Sequence, residues 1–168
     1  MELTDTQRKF VLHWGEMGSR WGINRTVAQI HALLLVSPDP LSTDQIMEAL
    51  KISRGNAHAN LKELQNWGLI SSVVIKGERK EFFQAEKDIW KMFCIIARER
   101  KRREVEPALK ALRTCAGRTE DHRCPHCREF NRQMENLSDF ASTLCVLLDK
   151  IADAESNRIL PRLLKMLD

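Results

Sequence analysis

The segment from residue 41 to residue 70 restricts the fold of this chain most, because it encodes two short helices with almost nothing between them. Ser42 is followed three residues later by Gln45, a capping-box pattern that predicts a helix starting directly after Ser42. Ser53 is a good N-cap for a second helix, and Gly68 lies where a left-handed C-cap would end it. The predicted inward faces are Ile46, Ala49 and Leu50 on the first helix, and Ala57, Leu61 and Leu64 on the second. Two such helices joined by LKIS are typical of a helix-turn-helix.

The residues after the second helix predict a β-hairpin. LISSVVI and KEFFQ are rich in Val, Ile and Phe, as strands are, and KGERK between them has a glycine where a tight turn needs a positive φ. Helix, helix and hairpin in this order predict a winged helix-turn-helix, with the hairpin as the wing.

The rest of the chain is predicted to be helical. One helix should cover Thr4 to Trp21, with Phe10, Trp14, Met17 and Trp21 on one face, and a second should cover Arg25 to Val36 until SPDP ends it. Two longer helices should follow, from about Asp88 to Arg113 and from about Arg128 to Ala152, separated by a polar linker of about Thr114 to Arg123. We therefore expect a mainly α fold with a small β-hairpin wing.

Composition excludes several classes of protein. The 168 residues are 43% hydrophobic, which is enough for a substantial core. The first residues do not resemble a signal peptide, and no apolar stretch approaches the ~18 to 20 residues of a membrane helix, so we expect a cytoplasmic protein without a membrane partner. Five scattered cysteines, an odd number, do not fit a secreted disulfide framework, and we expect reduced thiols.

Local charge is more informative than the net charge of +4. Acidic and basic residues are equally numerous in residues 1–90, but the stretch from Lys51 to Lys62 contains no acid. A helix N-terminus can bind phosphate, Arg54 can bind guanine or phosphate, and Asn56 can pair with adenine. The predicted DNA contacts are Ser53, Arg54, Gly55, Asn56, His58, Asn60 and Lys62 on the second helix, with Lys76, Arg79 and Lys80 on the wing. The alternative is that these polar residues merely face solvent.

The run ISRGNAHANLKELQNWGLI, followed by VIKGERKEFF, resembles the winged-helix core of MarR-family transcriptional regulators, specifically the GbsR-type branch. The resemblance extends over most of the chain. It implies a homodimeric regulator, often a repressor, that binds double-stranded DNA and whose affinity in some members responds to a small ligand. The identity of an effector stays open.

Two domains follow from this reading. Residues 1–88 would form the DNA-binding domain and residues 89–168 a helical dimerisation region. Apolar residues that alternate by three and four predict a helix seam, and a last apolar helix has too little chain left to cover it. The predicted dimerisation residues are Phe130, Met134, Leu137, Leu144, Leu148 and Ile151 in the seam, and Leu160, Leu163 and Leu164 in the last helix.

The motif CPHC, residues 124 to 127, leaves several alternatives open. The strand that precedes a thioredoxin-like motif is missing, so we expect no enzyme. A zinc site would draw on Cys115, His122, Cys124 and Cys127, but only the C-x2-C spacing is typical of zinc ligands, so we expect no bound metal or other cofactor. A thiol- or zinc-responsive regulator acting through Cys124 and Cys127 remains an alternative, as does a winged-helix protein-interaction module.

The four tryptophans allow one further hypothesis. Trp14, Trp21, Trp67 and Trp90 could form an aromatic cage for a quaternary ammonium ligand. Ordinary core packing explains them more simply, because Trp14 and Trp21 fit the helical stripe and Trp67 ends the second helix of the helix-turn-helix.

Overall fold

A computed structural model describes residues 3–115 and 125–153. The chain divides into two compact units, the first ending at Met92 and the second beginning at Phe93. Each unit is described in turn.

The first unit contains the predicted helix-turn-helix and hairpin. Its elements are α1 (Asp5–Arg20), α2 (Arg25–Val36), β1 (Leu41–Ser42), α3 (Thr43–Leu50), α4 (Arg54–Trp67), β2 (Ile70–Val73) and β3 (Phe82–Ala85), followed by the start of α5 (Ile89–Arg100). The predicted helix ends are confirmed. Ser42 and Gln45 form the capping box of α3, Ser53 caps α4, and Gly68 ends α4 with a φ of +77°.

The sheet of the wing is larger than the sequence indicated. β3 lies between β1 and β2 and pairs antiparallel with both, so that Phe83 is opposite Leu41 on one side and Ser72 on the other. A two-residue strand has too little pattern to be read from a sequence. The two strands are shorter than predicted, because residues 74–81 connect β2 to β3. The predicted glycine turn lies within this connection, where Gly77 has a φ of +91° and the Glu78 N–H donates to the Ile75 carbonyl at 3.1 Å.

The core of the first unit is built around α2. Ile30, Leu33 and Leu34 of this helix are fully buried, and α2 contacts α1, α3, α4 and β3. Ile46 from α3, together with Leu61 and Leu64 from α4, completes this core. The predicted inward face of α4 is confirmed, whereas on α3 Ala49 and Leu50 are only half-buried.

Glycines, rather than aromatic side chains, form the inward face of α1. Val11, Gly15 and Gly18 are buried, whereas Trp21 is 62% exposed and the other three residues of the predicted stripe are half-buried. The stripe prediction was therefore wrong by about a quarter turn. The cause is close packing of α1 on α2, since a Cβ atom on Gly18 would lie 2.6 Å from the Cβ of Ala28.

Polar groups stabilise the C-terminal end of α2. The Lys87 ammonium donates to the carbonyl oxygens of Leu34, Leu35 and Ser37, each at 2.7 Å. These are carbonyls that a helix end leaves without partners. His31 is buried one turn earlier on α2, next to Trp14, and burial together with the charge of Lys87 lowers the pKa of His31 to about 4.

The second unit is helical in its described part. After α5 come a π-helical segment (Lys101–Val105), α6 (Glu106–Cys115) and α7 (Pro125–Asp153). The predicted long helix from Asp88 to Arg113 is thus one helical run with a π-helical interruption. Pro107 follows the interruption, and a proline lacks an N–H and crowds the preceding turn, which explains a change of helical geometry there.

The dense basic run of residues 98–103 is largely paired within its own unit. Glu99 accepts hydrogen bonds from Arg102 and Arg103, and Lys101 forms ion pairs with Glu106 and, at 2.6 Å, with Asp149 of α7. Arg102 and Arg103 reach Glu99 because long side chains on a helix reach acids three or four residues away.

The long helix α7 has one face that packs within its unit. Ala141, Cys145 and Ala152 are buried, and the Cys94 thiol of α5 donates to the Ile151 carbonyl at 3.2 Å. The start of the predicted linker, Thr114 and Cys115, is helical, while the rest of the linker and the predicted last helix lie outside the described residues. No helix of residues 3–115 or 125–153 is both long and apolar enough to cross a membrane.

Replacing Gly18 with Ala should lower the free energy of unfolding by about 1 to 3 kcal/mol, although alanine favours helices. The added methyl group has no room against Ala28, so α1 must move away from α2. Urea denaturation followed by circular dichroism measures the effect.

The matched control is Gly55 to Ala in α4, where a Cβ atom would have nothing within 4 Å. This change should leave the free energy of unfolding unchanged or raise it by up to about 1 kcal/mol. A stable Gly18→Ala protein would contradict the close packing of α1 on α2.

The low pKa of His31 predicts a pH dependence of stability. The unfolded chain binds this proton near pH 6.5 and the folded protein only near pH 4, so stability is complete above pH 6.5 and is lost as the pH falls toward 4. Between pH 7 and pH 5 the loss should be about 2 kcal/mol. Urea denaturation at both pH values should show a smaller loss in His31→Leu, and an equal loss would refute the assignment.

Candidate nucleic-acid interface

The N-terminus of α4 is open and capped. The Ser53 hydroxyl accepts a hydrogen bond from the backbone N–H of Asn56 at 3.3 Å, which fixes the first turn. Ser53, Arg54 and Gly55 are exposed, and the position that a side chain of Gly55 would take is surrounded by open space. A phosphate could therefore approach the free N–H groups of this helix end closely.

The outer face of α4 carries most of the predicted contact residues. Arg54, Asn56, His58 and Lys62 are all exposed, whereas Ala57, Leu61 and Leu64 of the same helix are buried. This face combines hydrogen-bond donors, acceptors and positive charge, which are the groups that bind base edges and phosphates.

Asn60 is the exception, and its predicted place on the outer face was wrong. It is only 6% exposed. Its side-chain amide donates to the backbone carbonyl of Asn56 at 2.7 Å and also to the side-chain oxygen of Asn56. A polar residue at a buried position needs such partners, and a sequence pattern cannot distinguish it from a solvated one. Asn60 therefore restrains the side chain of Asn56 instead of facing outward.

The wing adds a second exposed basic surface. Lys76, Arg79 and Lys80 are exposed in the connection between β2 and β3, with Glu78 and Glu81 among them. Gly77 adopts its positive φ inside this connection, a conformation that other residues rarely accept. The Glu78 N–H donates to the Ile75 carbonyl at 3.1 Å, so the wing has a defined turn.

An acidic residue that the sequence did not single out connects the two basic surfaces. Asp44, in the first turn of α3, accepts from Arg54 at 2.6 Å and from Lys80 at 2.9 Å, one through each carboxylate oxygen. The hydrogen bond and charge of Lys80 lower the pKa of Asp44, and those of Asp44 raise the pKa of Lys80. The sequence shows only an acid in the first turn of a helix, where acids are common. It does not show that α3, α4 and the wing meet at this residue.

Comparison with known proteins agrees with this geometry. Residues 21–79 match the model of the MarR family. The resemblance to the MarR family is confirmed. These residues run from the end of α1 through α4 into the wing, so they include the candidate interface except Lys80.

Two individual proteins are also similar to this chain. The HTH-type transcriptional repressor GbsR of Bacillus subtilis is 28% identical over 92 residues, which are 55% of this chain. The chain spans about half the length of this curated relative, 51%. A crystal structure of a transcriptional regulator is similar with a TM-score of 0.63 and 19% identity, covering 91% of this chain and 99% of that one. At this identity the structural likeness establishes the mainly α winged-helix fold alone.

The predicted metal candidates lie partly outside the described residues, where His122 and Cys124 fall. Cys115 is exposed at the end of α6, and Cys127 is half-buried in the first turn of α7. Within residues 3–115 and 125–153 no group of three His, Cys, Asp or Glu side chains could hold a metal ion. The helix of α7 begins inside the CPHC motif, at Pro125.

The predicted dimerisation residues occupy two kinds of environment. Phe130 and Leu137 are exposed, while Met134, Leu144, Leu148 and Ile151 are half-buried. Leu160, Leu163 and Leu164 lie outside the described residues. Phe140, at 68% exposed, and Leu147 are further apolar residues on the surface of α7 that the seam did not include.

Proposed function

We propose that this protein is a homodimeric, sequence-specific DNA-binding transcriptional regulator that acts as a repressor. The observation that carries the proposal is the outer face of α4, where Arg54 and Asn56 project from a capped, unobstructed helix end beside the wing. The MarR-family match over the same residues supports it, and the similar Bacillus subtilis protein is named a repressor. Its place of action would be the cytoplasm, and a small-molecule effector and a small regulon belong to the same proposal.

In this proposal α4 enters the major groove. Asn56 pairs with adenine through its amide, Arg54 binds guanine or a phosphate, and the first-turn N–H groups bind the DNA backbone. Ser53, Gly55, His58 and Lys62 extend the contact along the helix. Asn60 is buried and would not contact DNA itself, but its amide restrains Asn56 through a hydrogen bond.

The wing would contact the DNA backbone. Lys76 and Arg79 are exposed and carry the charge that phosphates require. Such contacts provide affinity that depends on salt but carry no base preference of their own. The helix would therefore supply most of the sequence discrimination, and the wing would supply affinity.

Dimerisation would place two such interfaces on one duplex. The exposed apolar residues Phe130, Leu137, Phe140 and Leu147 recur along α7 at intervals of seven, three and seven. Together with the half-buried Leu144 and Ile151 they form an apolar stripe that a second copy of the chain would cover. A two-fold dimer then predicts a palindromic operator whose half-sites are about one helical turn, ~10 base pairs, apart.

Asn56→Ala and Lys76→Ala should separate base reading from backbone contact. Loss of Asn56 should cost ~1 to 3 kcal/mol on an operator selected from genomic fragments and little on a shuffled duplex. Loss of Lys76 should weaken both complexes alike and reduce the slope of log affinity against log salt concentration by about 1. Fluorescence anisotropy at several salt concentrations measures both effects.

The control for this experiment is Lys9→Ala, which removes one exposed positive charge from α1, outside the candidate interface. It should change neither affinity by more than a small amount. Equal losses on both duplexes for Asn56→Ala would remove Asn56 from base reading. A wild-type protein without salt-dependent affinity for either duplex would favour the protein-interaction alternative.

Phe140→Asp and Leu147→Asp should convert the dimer to a monomer that binds the operator poorly. Both side chains are exposed in the single chain, so the charge should disturb an interface between chains more than the fold. Analytical ultracentrifugation gives the oligomeric state, and thermal melting checks the fold.

Val146→Asp is the matched control, because Val146 is also exposed but points about 100° away from its neighbour Leu147 around the helix. This variant should remain dimeric. A Phe140→Asp protein that is still a dimer with full operator affinity would refute the proposed interface.

A further inference from the structure

The structure places one carboxylate at the meeting point of three elements. Asp44 belongs to α3, Arg54 to the first turn of α4 and Lys80 to the wing, and Asp44 accepts from both cations at 2.6 and 2.9 Å. The two cations are among the residues proposed to bind DNA. In the DNA-free protein they are therefore already paired with an acid.

Stability of the fold does not explain this arrangement. All three side chains are substantially exposed, and ion pairs in water contribute little because solvent screens them and the long side chains lose freedom. An acid at a DNA-binding surface also repels phosphates. The contact therefore opposes binding to DNA in general.

The geometry of the contact is compatible with a role for Asp44 in selecting operator DNA. Arg54 uses one terminal nitrogen on Asp44, and a guanidinium has five N–H donors in a fixed planar arrangement, so other donors stay available for a base edge or a phosphate. An arginine held by a carboxylate has fewer orientations to lose when it binds a base in the right position. The same carboxylate competes with phosphates that arrive in any other geometry.

We propose that Asp44 is a specificity-determining residue, which holds Arg54 and Lys80 back from the phosphates of non-operator DNA and orients them for the operator. The proposal rests on the proposed DNA-binding function. In this proposal an acidic side chain of α3 raises the ratio of the affinity for operator DNA to the affinity for random DNA.

The test is Asp44→Asn, with the full-length protein on the selected operator and on a shuffled duplex of the same length and composition. On the shuffled duplex the affinity should rise about threefold or more at low salt. The salt slope there should steepen by about 1 to 2, because each phosphate newly contacted by a released cation adds ~0.9 to it. On the operator the affinity should rise less, since the orientation of Arg54 is lost, so the ratio of operator to random affinity should fall.

Glu48→Gln provides a control with the same change of charge on the same helix. Glu48 lines the same surface groove as Asp44, and none of the ion pairs between described residues joins it to Arg54 or Lys80. The Glu48→Gln change should leave the slope of log affinity against log salt concentration nearly unchanged. The double variant Asp44→Asn with Lys80→Ala should lose about half of the steepening, because one of the two released cations is gone.

The outcomes separate the inference from the function on which it rests. If the wild type binds the operator selectively but Asp44→Asn has the same ratio and slope, or Glu48→Gln matches it, the specificity role of Asp44 is refuted and DNA binding stands. If the wild type binds neither duplex in a salt-dependent way, both fail. Asp44→Ser, checked by thermal melting, serves as a second variant if the first does not fold.

Discussion

The burial of α2 is the constraint on which the first unit depends. Seven of its twelve residues are buried, from Val27 to Leu34, so this helix must be covered from nearly every side. Glycines bring α1 close on one side, and α3, α4 and β3 contact it on others. Because α4 is held through Leu61 and Leu64, its opposite face is forced outward. The exposed position of Lys62, about 100° or more around the helix from both leucines, is thus a consequence of core packing, whereas Arg54 is exposed in the first turn of α4.

The same packing explains why polar groups accumulate at the ends of the helices. The C-terminal carbonyls of α2 would be costly to leave without partners, and the Lys87 ammonium satisfies three of them at once. The N-termini of α3 and α4 are satisfied by Ser42 and Ser53. The caps leave the first turn of α4 rigid yet open to solvent, and a rigid open helix end is what a phosphate or a base edge needs for a well-defined contact.

Local rules allowed much of this to be predicted from the sequence. The ends of α3 and α4 follow from Ser42, Ser53 and Gly68, because capping depends on residues within a few positions of each other. Asn60 shows the limit, since its burial depends on how α4 meets its neighbours, and an asparagine reads as polar wherever it lies. Asp44 shows the same limit of sequence-based prediction, because its hydrogen-bond partners are 10 and 36 residues away along the chain. The pairing of β1 with β3 and the glycine face of α1 are likewise decided by contacts between distant segments.

The two apolar stripes of α7 connect the fold to the proposed assembly. Ala141, Cys145 and Ala152 lie on the stripe that packs within the second unit, whereas Phe140 and Leu147 lie roughly a quarter turn or more away and are exposed. A helix with a single apolar stripe needs one neighbour, and α6 supplies contacts to α7. A second stripe of large side chains needs another neighbour, because leaving such surface in water costs free energy in proportion to its area. Within the described residues that stripe has no cover, so a dimer would satisfy the same requirement that α2 meets inside one chain.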